Sequence, residues 1–224
     1  MKVMIPCLVL LIAALAAGQS SSAPASKSQP ERLITYCAND GYDADISGFP
    51  IGATIARIGD VKLQVVSVGD ESGADFRFVQ HGKPILDFAL NDLLAPEVWI
   101  AVDFRNNRLA LTYSDGGGLG GFHVRIFQIG NNGITDISGM VAPAVRDFKS
   151  RHYCESRGNN VRALKWIHGD LLLMTSVYPT SDCGAEMGHT EAYLVGTPSG
   201  NLMRHLTLQE LKHYPGVCLQ NDGD

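Results

Sequence analysis

The clearest alternation in the chain runs from Phe122 to Ile129. Phe122, Val124, Ile126 and Gln128 fall on one face, and His123, Arg125, Phe127 and Ile129 on the other. Both faces carry apolar weight, which predicts a central strand packed on two sides. Leu109 to Tyr113 gives an apolar and aromatic strand before it. Gly130-Asn131-Asn132-Gly133 follows, with residues that tolerate the positive φ of a hairpin turn. A glycine-rich loop, Gly116 to Gly121, separates the two strands.

The same order of features recurs between Asp170 and Thr207. Ser114-Asp115 precedes Gly121 and a strand, and Ser181-Asp182 precedes Gly188 and the strand Thr190 to Val195 at the same offset. Asn132-Gly133 turns the first copy and Ser199-Gly200 the second. Upstream, Leu109-Ala110-Leu111 matches Leu171-Leu172-Leu173. A fainter third copy spans Val61 to Leu90, with Gly69 to Gly73 as its loop and His81-Gly82 as its turn. Repeats of a few strands at this spacing fit a layered sandwich or propeller blades. Further strands are expected at Val61–Val68, Phe76–Gln80, Pro84–Phe88, Trp99–Phe104, Val161–Ile167 and Leu171–Tyr178.

Two segments switch to helical character. Met140 to Ser150 spaces Val141, Val145 and Phe148 for a helix that Pro143 allows to begin near itself. Thr207 and Glu210 form a capping box for Leu208 to His213, which Pro215-Gly216 ends. The predicted fold class is therefore mainly β: an antiparallel β-sandwich or partial-propeller-like meander, with internal strand–loop–strand repeats and two short helices.

The ends of the chain change the picture. Lys2 precedes an apolar run from Val3 to Gly18, the pattern of a secretory signal, with cleavage expected before Gln19. That run is short for a membrane span, so no span is expected after cleavage. Residues 19–30 read as a flexible leader and 31–224 as a single β-rich domain, in a periplasmic or secreted protein. Loss of the signal removes Cys7 and leaves Cys37, Cys154, Cys183 and Cys218. An even number in an exported chain favours two disulfides. The expected pairs are Cys154–Cys183, bracketing a hairpin, and Cys37–Cys218, joining the ends.

Composition narrows the function. Apolar residues make up 45% of the 224 and charged residues 18%, enough to build a core. Without Lys2 the balance is 17 basic against 23 acidic residues, about −6, with no basic cluster. That argues against nucleic-acid binding or attachment to an anionic membrane. Gly116 to Gly121 is followed by a strand, without the Lys-Ser/Thr pair of a phosphate loop. Neither GxSxG nor HExxH is present, and no cofactor is expected. Asp43, Asp45, Ser47 and Gly48 match the first half of a calcium loop. Thr54 stands where the bidentate Glu is required, so a solvated turn is the expected structure there.

The sharper constellation takes an Asp and a His from each copy: Asp115 with His123, and Asp182 with His189. Asp and His together suit a divalent transition metal or acid–base work. With Gly118 at the loop tip, these are the candidate site residues. Trp99 and Trp166 are expected in the core at strand starts. The functional expectation is an exported binding or inhibitory module facing an envelope or extracellular protein. The alternatives are a metal-assisted or acid–base hydrolase using the four Asp and His groups, and a structural envelope protein.

Overall fold

In the computed structural model, the described residues are 33–36, 41–45, 50–69, 73–91, 97–114, 121–152, 159–177, 183–184, 188–196, 203–211, 213–214 and 217–220. Three antiparallel meanders follow one another along the chain. The first comprises β3 (Thr54–Ile58), β4 (Val61–Val68), β5 (Ala74–Gln80) and β6 (Lys83–Leu90). The second comprises β7 (Glu97–Asp103), β8 (Arg108–Ser114), β9 (Phe122–Gly130) and β10 (Gly133–Asp136), with β2 (Gly41–Asp45) added beside β7. The third comprises β11 (Asn159–Ile167), β12 (Asp170–Val177), β13 (Thr190–Val195) and β14 (Met203–Leu206). A separate two-stranded ladder joins β1 (Leu33–Tyr36) to β15 (Val217–Gln220). The expected β-rich, sandwich-like architecture with two short helices is observed.

The meanders stack as layers, and strand alternation decides which residue fills which layer. Val98, Ile100, Leu109, Leu111, Phe127 and Ile129 turn from the second sheet toward the first, where they meet Leu63, Phe76, Phe78 and Leu90. Ala101, Ala110 and Ile126 turn the other way, toward Ala163, Leu171, Leu173 and Tyr193 of the third sheet. The alternation read at Phe122–Ile129 thus places β9 between two cores. Phe127 is fully buried, with its ring centroid 5.1 Å from Phe78 and 4.8 Å from Phe88. On its outer face the third sheet packs Leu172, Leu194 and Leu206 against Leu211 of α2 (Leu208–Leu211).

Paired tryptophans fasten the second and third sheets. Trp99 Nε1 donates to the Leu164 carbonyl at 3.3 Å, and Trp166 Nε1 donates to the Ala101 carbonyl at 3.2 Å. Trp166 lies near the end of β11 rather than at a strand start. Its ring lies under the Arg108 guanidinium, 4.2 Å from centroid to carbon. Arg108 is only 1% exposed, bonds Asp103 at 2.6 Å and donates to the Gly169 carbonyl. Burial opposes ionisation of Asp103. Bonds from Asn106 and Arg108 outweigh it and hold the carboxyl below its usual range.

Turn chemistry differs from site to site. His81-Gly82 and His168-Gly169 are two-residue loops with positive φ at both positions (50° and 76°; 51° and 95°), the geometry that matches strand twist. In the β9–β10 hairpin the left-handed position falls on Gly133, at 129°, and not on Asn131 or Asn132. The turn expected around Asp43 is instead extended: Gly41–Asp45 pairs along Glu97–Ala101. A free edge on β7 offers these residues backbone bonds that outweigh their turn preference. Strands β1, β3, β14 and β15 had no counterpart among the expected strands.

The helix expected at Met140–Ser150 is a 3-10 turn, Ser138–Val141, leading into α1 (Ala142–His152) with Pro143 in its first turn. Ala144 and Phe148 bury one side of α1 against the third sheet. Helix α2 is a single turn, shorter than expected. The Thr207–Glu210 box holds it: Glu210 Oε2 accepts from the Thr207 amide at 2.8 Å, and Thr207 Oγ1 accepts from the Glu210 amide at 3.3 Å. Among the described residues no helix is long and apolar enough to cross a membrane.

Candidate functional site

Strand β13 presents alternate residues to α1. Glu191, Tyr193 and Val195 share the face that meets the helix, while Ala192 and Leu194 meet α2. Register sets His205 of β14 opposite Tyr193, with the rings 5.2 Å apart. The last turns of α1 supply two i,i+4 pairs, Asp147 with Arg151 and Phe148 with His152. His189 enters just before β13. Its ring stacks on His152 at 3.8 Å, with Phe148 5.2 Å from one ring and 6.2 Å from the other.

Glu191 is the centre of this cluster. Arg151 grips it bidentately, Nη1 to Oε1 and Nη2 to Oε2, both at 2.7 Å. His152 Nε2 lies 3.0 Å from Oε1, and His189 Nε2 lies 3.5 Å from the same oxygen. His205 Nε2 lies 3.4 Å from Oε2. The Tyr193 hydroxyl is 2.7 Å from Glu191 Oε2 and 2.9 Å from Asp147 Oδ2, so two carboxylates compete for one proton. Arg151 Nη2 donates to the same hydroxyl at 2.8 Å.

The electrostatics follow from these contacts. Burial pushes the Glu191 carboxyl up, but Arg151, Tyr193 and the neighbouring His205 outweigh it and hold it at about 2. Tyr193 moves the other way: burial first, then bonds to Glu191 and Asp147, raise its hydroxyl far above the usual phenol range. The bond from Arg151 keeps Asp147 below its usual range. The cluster is half-open. The Glu191 side chain is 10% exposed, His152 17% and His189 22%.

One ligand atom each from His152, His189 and Glu191 lies within 4.8 Å of the other two. Imidazole nitrogen and carboxylate oxygen are donors that first-row transition metals accept. Glu191 and Tyr193 are not poised to exchange a proton near neutral pH, which leaves the imidazoles as the groups available for acid–base work.

Of the residues picked from sequence, His189 lies in this cluster. His123 sits on an exposed position of β9, opposite Tyr113, with the rings 5.5 Å apart. Asp43 and Asp45 belong to β2. Asp115, Gly118, Asp182 and Ser47 lie outside the described residues, as do Cys37 and Cys154. Cys183 packs partly buried against the core between the second and third sheets. Cys218 lies in β15, opposite Thr35. Sequence reasoning missed Glu191, Tyr193, Arg151, Asp147 and His205, and made no use of His152. The available signal was the spacing of His189, Glu191 and Tyr193 at every second position, beginning one residue before the expected strand Thr190–Val195.

No protein-family model, curated protein or solved structure matches this chain.

Proposed function

We propose that the protein is an exported, disulfide-stapled β-rich binding module, whose ligand site is the cluster between α1 and β13. The observation that carries this reading is Glu191. A buried carboxylate, kept ionised by Arg151 and Tyr193, meets two stacked imidazoles at a partly open surface. Its partners stand on a helix and two strands, the rigid mounting that binding sites need. The tight pairing of Glu191 with Arg151 and Tyr193 favours a fixed, preformed site.

Export rests on the Lys2–Gly18 pattern and the four remaining cysteines. The β1–β15 ladder brings the two ends of the domain together, which favours a Cys37–Cys218 pair. The internal repeat draws support from strand order. Leu109–Leu111 and Leu171–Leu173 both lie in the second strand of a meander, and Val61 begins the second strand of the first.

Purified mature protein screened by thermal midpoint tests the reading, with divalent cations, inorganic phosphate and short acidic or basic peptides as probes. Binding predicts a probe that raises the wild-type midpoint and leaves His189→Gln unmoved. Turnover of ester, phosphoester or peptide substrates that disappears with His189→Gln or Glu191→Gln would replace binding by catalysis.

A further inference from the structure

We propose that His152, His189 and Glu191 bind one divalent transition-metal ion of the zinc class. This inference rests on the reading of the α1–β13 cluster as the ligand site and names the chemistry of its ligand. Two ring nitrogens, His152 Nε2 and His189 Nε2, are aimed at a single carboxylate oxygen, Glu191 Oε1. A neutral imidazole has one N–H and one lone pair. Where Nε2 lacks the proton, lone pair faces lone pair and the contact is repulsive. A metal ion among the three atoms accepts all three lone pairs at once and removes that conflict.

The surroundings fit such a site. The ligands come from the last residue of α1 and the entry to β13, so helix and sheet fix their spacing. Fully buried Phe148 forms an apolar floor against both rings. Tyr193 holds the Oε2 side of Glu191 and orients its other oxygen, as outer partners of metal ligands do. Two imidazoles and one carboxylate select zinc, cobalt, nickel or copper over magnesium and calcium, which prefer all-oxygen shells. Three protein donors also leave room for a solvent or ligand molecule in a four-coordinate shell. Arg151 is the rival cation. Its Nη1 contacts the same Oε1 at 2.7 Å, so the ion must share Glu191 with it.

The experiment uses full-length mature protein stripped with chelator, then titrated with Zn²⁺ against a chromophoric indicator and with Co²⁺ in the spectrophotometer. The expected result is one ion per chain. Co²⁺ should give visible d–d bands of a nitrogen and oxygen shell, without thiolate charge transfer. Tenfold excess Mg²⁺ or Ca²⁺ should not displace the ion. His152→Gln and His189→Gln should each weaken binding about 10–100-fold or more, since even outer-shell losses reach that range. His81→Gln, His123→Gln and His213→Gln, at exposed positions, should bind as wild type. Arg151→Gln should bind more tightly, which a merely structural role for the three ligands does not predict. Circular dichroism confirms that each variant is folded, and the wild-type Co²⁺ spectrum stands independently of any variant. Wild type without a stoichiometric ion overturns the inference, as do thiolate bands or folded ligand variants that bind like wild type. If another probe binds through His189 while Zn²⁺ does not, the metal inference falls and the binding module stands. If no probe binds, both fall.

Discussion

Replacing Glu191 by Gln keeps the shape of the side chain and removes its charge, so it isolates what the carboxylate contributes. Its carboxyl is held at about 2, against 4.5 for an ordinary glutamate. At about 1.4 kcal/mol per pH unit, the shift sets an upper limit of about 3 kcal/mol on the preference of the fold for the ionised form. The Arg151 side chain is 38% exposed, and solvent screens part of its attraction. A loss of about 1–2 kcal/mol at pH 7 is therefore expected for Glu191→Gln. The sign of the pH dependence follows from the lowered value. The stabilisation is fully present above about pH 4.5, where the unfolded carboxyl is also ionised, and fades as pH falls toward 2. Urea unfolding of both proteins at pH 7, 5 and 3 measures the gap, which should be narrower at 3 than at 5. A gap that stays the same down to pH 3, or that is absent at pH 7, would refute the account of Glu191 as an ion held by Arg151 and Tyr193.

Three further outcomes are expected. Phe127→Ala should cost about 3–5 kcal/mol in denaturant unfolding, because it empties a fully buried site between Phe78 and Phe88; a cost under about 1 kcal/mol would mean the first two sheets do not pack there. Gly169→Ala should be more destabilising than Gly82→Ala, by about 1 kcal/mol or more, although both glycines have positive φ. At Gly169 the new Cβ meets Asn106 Nδ2 at 3.0 Å and Arg108 Nη2 at 3.4 Å, whereas at Gly82 nothing lies within 4 Å; equal costs in the same assay would rule out a packing contribution. Thiol titration of denatured, unreduced mature protein should find essentially no free thiol; two or more would defeat the disulfide framework.

What was legible in the sequence is what local spacing controls. The period of two in Phe122–Ile129 placed β9 between two cores because both of its faces are apolar. Pro143 and the Thr207–Glu210 box marked helix starts because their physics lies within one turn. Gly41–Asp45 misled for the opposite reason: its strand exists through pairing with β7, a partner more than fifty residues away. The site is of that second kind. His189, Glu191 and Tyr193 share a face by alternation, and Asp147 and Arg151 share one by helical spacing. Nothing local brings the helix onto the strand. That takes Ala144 and Phe148 burying against the third sheet, a tertiary event. Asp115 and His123 drew notice through their position in the repeat, a similarity of order that does not specify what lies next to what in space.

The β1–β15 ladder sets an order of events. Leu33 pairs with Gln220, so the ladder closes a loop of almost the entire described chain. From an unfolded chain, closure of that length costs on the order of 4–5 kcal/mol, scaling as 1.5RT ln n. Four paired residues at about 1 kcal/mol per hydrogen bond barely match that cost. The ladder becomes favourable only after the three meanders have folded and shortened the path between its strands. On a chain that emerges amino end first, β1 therefore waits with both edges unpaired until β15 arrives. That interval, rather than the finished fold, is when this protein is most open to pairing with the wrong neighbour.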